Sequence, residues 1–339
     1  MRTVSVRTVL FGLAASTAAL LLSACGSDAE GTIVIYTGRH YDLETAFNAF
    51  EDEFNIDIEF LEGSDAELRE RIAAEGEDTS ADIYMTVDAG NLATAAEAGI
   101  FAPIDSAVLE QAVPAELRDP DGNWFALSAR ARTIVYSTER LSPDEIPTSY
   151  EDLAQPEWKG RVCLRNSSNT YTQSLVASLI GNLGYDDALT LVNGWAENAR
   201  IMSNDVIALN SIRDDFCDVA ITNHYYLARE LEEDPNYPVG LVWANQDDRG
   251  VHVNISGAGV LANADDPDLA QQLLEWLATD GQNLFVDGNN EYPVNPDVVP
   301  ESLIASEFGE TFVRDALNAA EFGALNADAV RLLDEAGYE

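Results

Sequence analysis

The stretch from Asp218 to Arg229 has the sequence DVAITNHYYLAR and decides the fold prediction. Residues 218–222 are an apolar run typical of a buried β-strand, and residues 226–233 have the pattern of an amphipathic helix. Other stretches repeat this order of short strand, polar loop and helix, and they begin at Thr32, Ile56, Ala81 and Arg161. Strands that alternate with helices predict parallel sheets in an α/β protein.

Two predicted strands differ from these units, because no helix follows them directly. They span residues 125–138 and 251–262 and are long. Such strands can connect two lobes that close over a ligand by a hinge motion. We therefore predict a two-lobed α/β fold, each lobe a mainly parallel sheet flanked by helices. The expected divisions are 32–129 with 256–306 for lobe one, 130–255 for lobe two, and 307–339 for C-terminal helices that pack on either lobe.

The N-terminal residues 1–24 have the pattern of a signal peptide. Arg2 and Arg7 accompany an uncharged apolar stretch that is short for a membrane-spanning helix. Small residues then precede Cys25, and this arrangement resembles the lipobox of bacterial lipoproteins. The resemblance implies a lipid on Cys25, with residues 25–31 as a polar tether. An ordinary secretory signal with a chance cysteine is the alternative.

The chain is strongly acidic, with 60 Asp and Glu against 18 Lys and Arg, and a formal net charge of −42. Nucleic acid and anionic membrane surfaces would repel such a protein, so we exclude both as broad partners. The length is sufficient for two lobes with their own cores. We expect an extracytoplasmic monomer.

Cys163 and Cys217 are the cysteines that follow the leader, and both lie at predicted strands. An even pair in an oxidising, exported setting predicts a disulfide between neighbouring strands. Two buried thiols are the alternative, because free cysteine is often buried.

Tyrosine and histidine side chains gather in the loops that follow predicted strands. Tyr225 and Tyr226 follow the strand of the opening stretch, and Tyr41 follows His40 after the first strand. Ligands of parallel sheets bind outside the carboxyl ends of the strands, so these side chains are expected to face one cleft. Tyr136 lies in a predicted connecting strand, near the expected hinge.

These phenols are the basis for predicting a metal site. An unperturbed tyrosine has a pKa of about 10, so several phenolates at neutral pH require a strong local positive charge. Phenolate is a hard, anionic oxygen donor, and ferric iron provides such a charge. The candidate ligands are Tyr225, Tyr226, Tyr136, Tyr41 and His40.

Arginines and small polar residues lie in or beside the same loops. Arg229 is three and four residues beyond the tyrosine pair, so its guanidinium could offset the negative charge of an empty site. Serine and asparagine side chains could bind a small anion that completes the metal shell, helped by a helix N-terminus. For each arginine the alternative is a surface ion pair. The candidates are Arg39, Arg130, Arg132, Arg165, Arg229, Ser167, Ser168, Asn204 and Asn223.

Several segments of the chain resemble the ferric-iron-binding substrate-binding proteins of ABC transporters. They are IYTGRHY (35–41), ADIYMTVD (81–88), LSARARTIVY (127–136), NSSNTYTQSL (166–175), NHYY (223–226) and EYPVNP (291–296). The resemblance implies a periplasmic-binding-protein fold that delivers iron to a membrane permease. It carries over Tyr225 and Tyr226 as phenolate ligands and His40 as an imidazole ligand. The tyrosine-rich branch of that family also suggests Tyr41 and Tyr136.

Two positions depart from the family pattern. Val87 stands where one branch has a glutamate ligand, with Asp88 next to it, and this favours the tyrosine-rich branch. His224 replaces the small polar residue that usually precedes the tyrosine pair. The sequence leaves open whether His224 binds metal, tunes Tyr225 or faces solvent.

The sequence thus predicts a lipid-anchored protein that captures Fe(III), with an anion such as carbonate or citrate, for an ABC importer. The alternative is a protein of the same fold that binds a small anion or organic solute without metal. An enzyme is not expected, because the sequence shows no Ser/Cys–His–Asp arrangement, HExxH motif or phosphate-cradling glycine loop.

Overall fold

The computed structural model describes residues 30–39, 44–300 and 303–339. The predicted signal peptide, Cys25, His40 and Tyr41 lie outside these ranges. No helix within them combines the length and the apolar character needed to cross a membrane.

The chain alternates strands and helices along most of its length. The strands are β1 (Thr32–Thr37), β2 (Asp57–Glu62), β3 (Ile83–Thr86), β4 (Phe125–Ser137), β5 (Val162–Arg165), β6 (Ala199–Met202), β7 (Val219–Asn223), β8 (Val239–Val242) and β9 (Val253–Val260). The helices are α1 (Glu44–Phe54), α2 (Asp65–Glu75), α3 (Ala89–Glu97), α4 (Ala107–Ala112), α5 (Thr170–Leu183), α6 (Tyr185–Asn198), α7 (Asp205–Arg213), α8 (His224–Glu233), α9 (Pro267–Leu277), α10 (Gln282–Asp287), α11 (Leu303–Phe308) and α12 (Glu321–Glu335).

The sheet of lobe one has the strand order β2-β1-β3-β9-β4. β1 pairs in parallel with β2 and β3, whereas β9 is antiparallel to both β3 and β4. The apolar strand β3 is buried along its whole length, as expected for a strand covered on both faces. The carboxyl ends of β1, β2 and β3 therefore lie at one edge, where the loops after Thr37, Glu62 and Thr86 begin.

The sheet of lobe two is built around the second half of β4. β7 and β8 both pair antiparallel with it, and β5 lies in parallel between β7 and β6. Cys163 of β5 and Cys217, just before β7, form a disulfide with their Cα atoms 5.8 Å apart. The predicted disulfide is confirmed, and it joins β5 to the residues that lead into its parallel neighbour β7.

The two long strands connect the lobes. The first half of β4 pairs with β9 in lobe one, and its second half pairs with β7 and β8 in lobe two. The predicted two-lobed α/β fold is confirmed, with one difference in detail. The strands next to the connectors are antiparallel, so parallel pairing is restricted to the outer part of each sheet.

The C-terminal helix α12 packs against α3 and also against α5. Gly323 allows the approach to α3, because a Cβ at this position would lie 2.9 Å from the Cβ of Ala93 and 3.0 Å from the carbonyl oxygen of Gly90. The helix thus contacts elements of both expected lobes, where the sequence allowed either one. The lobe divisions themselves stay a prediction.

Candidate metal centre

The turn from β7 into α8 holds the tyrosine pair at the end of a buried strand. β7 is buried along its whole length, so its last residue, Asn223, fixes where α8 starts. The Tyr225 and Tyr226 rings have centroids 4.4 Å apart. Tyr225 is 2% exposed, and its hydroxyl accepts a hydrogen bond from Asn223 Nδ2 at 3.4 Å. Both rings therefore belong to one cluster at the carboxyl end of β7.

A third phenol, which the sequence analysis did not single out, joins this pair. Tyr171 lies in the first turn of α5, where the Asn169 side chain caps the helix by accepting a hydrogen bond from Tyr171 N at 2.9 Å. The hydroxyl oxygens of Tyr171 and Tyr225 are 3.5 Å apart. The parallel strands β5 and β7 bring the two helix starts to the same edge of the sheet. Tyr171, Tyr225 and Tyr226 form what we call the phenol cluster.

Three guanidinium groups surround the phenol cluster. Arg229 lies over the rings of Tyr225 and Tyr226, with its Cζ 5.1 and 5.9 Å from the two centroids. Arg165 and Arg130 lie near the Tyr171 ring, at 5.2 and 5.7 Å. Cations over aromatic faces favour negative charge on the ring oxygens.

Arg165 also interacts directly with Tyr226. Burial alone would lower the pKa of Arg165, but the Asp205 carboxylate outweighs it, and a hydrogen bond with Tyr226 adds to that effect. The net result is a raised pKa, so this side chain stays charged next to the phenol oxygens.

Two buried carboxylates each hold a pair of arginines. Asp205 accepts from Arg132 at 2.8 Å and also bonds Arg165. Glu291 lies 2.7 Å from Arg39 and 3.9 Å from Arg130, and its pKa is lowered by these arginines against the effect of burial. Because each carboxylate is shared by two cations, each group retains one net positive charge. Arg39 and Arg132 lie in buried ion pairs, so the alternative of a surface ion pair does not hold for them.

The structure contradicts the prediction that Tyr136 joins the tyrosine pair. β4 runs antiparallel to β7, and Tyr136 pairs with Val219 at the start of β7, while Tyr225 follows the end of β7. Its ring lies over β8, since a Cβ on Gly240 would be 2.8 Å from its hydroxyl oxygen. Tyr136 therefore lies at the far end of the strand from the phenol cluster.

The small polar candidates fall into two groups, those at the phenol cluster and those elsewhere. Asn223 contacts the cluster, donating to Tyr225 and accepting from Arg132 at 3.3 Å. Asn204 instead caps α7, accepting from Ile207 N at 2.8 Å. Ser168 donates to Asn166 at 3.3 Å, and Ser167 shares a groove with the C-terminal residues of the chain. The contacts of Ser167, Ser168 and Asn204 thus belong to local structure rather than to the phenol cluster.

His224 has a structural role that the sequence left open. Its Nδ1 accepts from Ala131 N at 3.2 Å, and its Nε2 lies 2.9 Å from the Asn290 carbonyl oxygen. Burial lowers its pKa to about 4, so the ring is neutral at physiological pH. His224 fixes the start of α8 against β4 while the next residue, Tyr225, turns to the phenol cluster.

The wall of lobe one faces the start of α5 across a cleft of about 660 Å³. The cleft is lined by Gly38, Glu62, Asp65, Val87, Asn91 and Thr170, among others. Gly38 and Val87 follow β1 and β3, and Thr170 directly precedes Tyr171. The cleft thus joins the strand ends of lobe one to the helix that carries one of the phenols. His40 and Tyr41, next along the chain from Arg39, lie outside the described residues.

Comparison with known proteins identifies the family. Residues 78–310 match the model of the bacterial extracellular solute-binding proteins. The chain belongs to this family. Relatives of this solute-binding protein include iron uptake protein A1 of Synechocystis sp., which is 39% identical. The alignment covers 94% of this chain and 93% of that protein. The Fe(3+)-binding periplasmic protein of Serratia marcescens is 30% identical over 85% and 88% of the two chains.

Solved structures agree with this assignment. Trichodesmium IdiA (FutA), solved in complex with iron and citrate ligands, is 40% identical to this solute-binding protein with a TM-score of 0.86, covering 91% of this chain and 100% of that chain. The resemblance inferred from the sequence is confirmed. Solute-binding proteins bind rather than convert their ligands, which fits a site placed between two lobes.

Proposed function

We propose that this protein captures ferric iron in the cleft between its lobes and delivers it to an ABC permease. The observation that carries the proposal is the phenol cluster, which gathers Tyr171, Tyr225 and Tyr226 beneath Arg130, Arg165 and Arg229. Phenolate oxygens are hard anionic donors, and a trivalent ion offsets three of them. The relatives named for iron uptake and for Fe(3+) binding support the same cargo.

Lobe two binds iron first in this proposal. Its three phenols come from two helix starts of one sheet, so they are in place before the lobes close. Closure then brings His40 and Tyr41 from lobe one. An anion such as carbonate or citrate completes the iron shell, and the iron and citrate bound to the Trichodesmium relative support this role. Arg229 and Asn223, which both contact the cluster, are candidate contacts for such an anion.

The cellular setting follows from the family and from the N-terminal pattern. The relatives include a periplasmic protein, which supports a position outside the cytoplasm. A lipid on Cys25 holds the protein at the membrane, close to its permease. The protein acts as a monomeric carrier rather than as an enzyme.

Titration of metal-stripped protein with ferric citrate tests this function. We expect a visible phenolate-to-iron charge-transfer band that reaches its maximum at one iron per chain. Tyr225→Phe keeps the ring and removes the oxygen, so the band should weaken and the affinity should fall by at least about a hundredfold, the scale of a lost charged contact. A colourless protein that binds citrate equally well without iron would favour the anion-binding alternative instead.

A further inference from the structure

Asp65 is the first residue of α2 and lies on the lobe-one wall of the cleft. Its Oδ2 accepts a weak hydrogen bond from Val87 N at 3.4 Å. Its other oxygen, Oδ1, occupies the space that a side chain at Gly38 would fill, because a Cβ there would overlap it. The carboxyl group therefore lies between the ends of β1 and β3, and the glycine at position 38 leaves room for it.

The negative charge of this carboxyl group is only partly compensated. Oδ1 is shielded from solvent and has no hydrogen-bond partner within the described ranges. The pKa of Asp65 is raised to about 7, chiefly by burial and then by the Asp88 carboxylate, while the Val87 hydrogen bond, Arg130 and Arg69 offset only part of this rise. A carboxylate that is largely shielded from water and has one unbonded oxygen is costly unless a cation approaches it.

Neighbouring acidic residues differ from Asp65 in this respect. Asp88 is fully buried, but Asn254 Nδ2 donates to it at 2.8 Å and Asn91 N at 3.0 Å, while it caps α3. Glu62 lines the same cleft and is exposed to solvent. Of these three, Asp65 is the acid that is both withdrawn from water and incompletely bonded.

Asp65 lines the same cleft as a residue that is adjacent in sequence to the phenol cluster. Thr170, which directly precedes Tyr171, lines the same cleft from lobe two. Val87, which follows β3 and lines the same cleft, has a side chain that offers no metal donor. We infer that Asp65 supplies a carboxylate contact from lobe one to the bound ferric ion, opposite the phenols of lobe two. Carboxylate oxygen is a hard donor suited to this cation. The inference rests on the proposed function.

This role predicts opposite effects of one substitution on binding and on stability. In the folded protein the pKa of Asp65 is raised above its unfolded value, so folding favours the protonated form. The stability that this form provides is lost as the pH rises through about 7. Asp65→Asn keeps the shape and removes the charge. The metal-free variant should therefore melt at a higher temperature than the wild type at pH 8, although it binds iron less tightly.

The experiment compares metal-stripped wild type, Asp65→Asn and the matched control Glu59→Gln at pH 8; Glu59 is an exposed acid of β2 that does not line the cleft. Iron affinity is measured by competition with citrate, the charge-transfer band by visible absorption, and the melting temperature without metal. We expect Asp65→Asn to bind iron about tenfold more weakly, the scale of one charged contact, with a shifted band and a higher melting temperature. Glu59→Gln should change none of these quantities.

The outcomes separate the two proposals. An iron affinity of Asp65→Asn equal to that of Glu59→Gln would overturn the inference while leaving the proposed function intact. Weaker binding together with a lower melting temperature of the metal-free variant would also overturn it, because it would indicate a merely structural carboxylate. The absence of an iron band in the wild type would overturn both.

Discussion

At the scale of single residues, four tyrosines show what the sequence could and could not reveal. Tyr225 and Tyr226 could be found because adjacent phenols at a helix start do not suit a core. Tyr171 stands alone in its helix turn, so no pattern distinguished it, although its place after a predicted strand was the same signal. Tyr136 was chosen for its strand, but its position relative to β7 depends on an antiparallel register that the sequence did not disclose.

This contrast gives a direct test with matched variants. Tyr171→Phe removes a phenol oxygen 3.5 Å from that of Tyr225, so we expect at least a tenfold loss of iron affinity and a weaker charge-transfer band, given about 1.4 kcal/mol per tenfold. Tyr136→Phe makes the same chemical change at the far end of β7 and should leave both unchanged. Equal effects of the two substitutions would contradict the phenol cluster.

Asp205 offers a second test at this scale. Its carboxylate is fully buried and bonds Arg132 and Arg165, so Asp205→Asn leaves two buried cations without their shared anion. We expect the free energy of unfolding to fall by about 3–5 kcal/mol, the usual cost of breaking a buried ion pair. Urea denaturation of the metal-free protein measures this loss. Asp214→Asn, at an exposed ion pair with Arg213, is the control and should leave the free energy of unfolding almost unchanged.

At the scale of elements, the repeated strand–loop–helix unit was predicted to within a few residues, because buried parallel strands and amphipathic helices have strong periodic patterns. Other features of the fold have weaker patterns in the sequence. β6 is a short strand at the sheet edge with one buried residue, Met202, and therefore has no apolar run to identify it. The antiparallel pairing of β4 with β9 also has no signature within either strand, since register is set by tertiary packing.

The disulfide between Cys163 and Cys217 makes a prediction at this scale. It closes a loop of 54 residues between β5 and the start of β7. By the chain-entropy relation, such a loop stabilises the folded state by about 4 kcal/mol. Replacing both cysteines with serine should lower the free energy of unfolding by that order in urea denaturation. An unchanged midpoint and slope would show that the bond does not constrain the unfolded chain.

At the scale of the whole molecule, buried polar contacts join the connecting strands to both lobes. Asn254 of β9 donates to Asp88 of lobe one at 2.8 Å and to Ser174 of α5 at 3.0 Å. His252, just before β9, lies 3.0 Å from the same serine hydroxyl. Together with α12, these contacts place polar groups where the two lobes meet, and composition alone did not predict them.

The buried His252 predicts a pH dependence of stability. Burial, and then Arg132, lower the pKa of His252 to about 3, below its unfolded value. The unfolded chain therefore binds the proton more readily, and stability falls as the pH drops from about 6.5 towards 3. In metal-free protein His252→Gln should remove up to about 5 kcal/mol of this dependence. A variant that loses stability with acid as steeply as the wild type would contradict this assignment.

Crystals grown with ferric iron and measured at the iron absorption edge test the central claim most directly. The account predicts one anomalous peak in the cleft, bonded to the phenol oxygens of Tyr171, Tyr225 and Tyr226. An iron peak away from these oxygens, or a cleft that stays free of iron at saturating concentration, would contradict it.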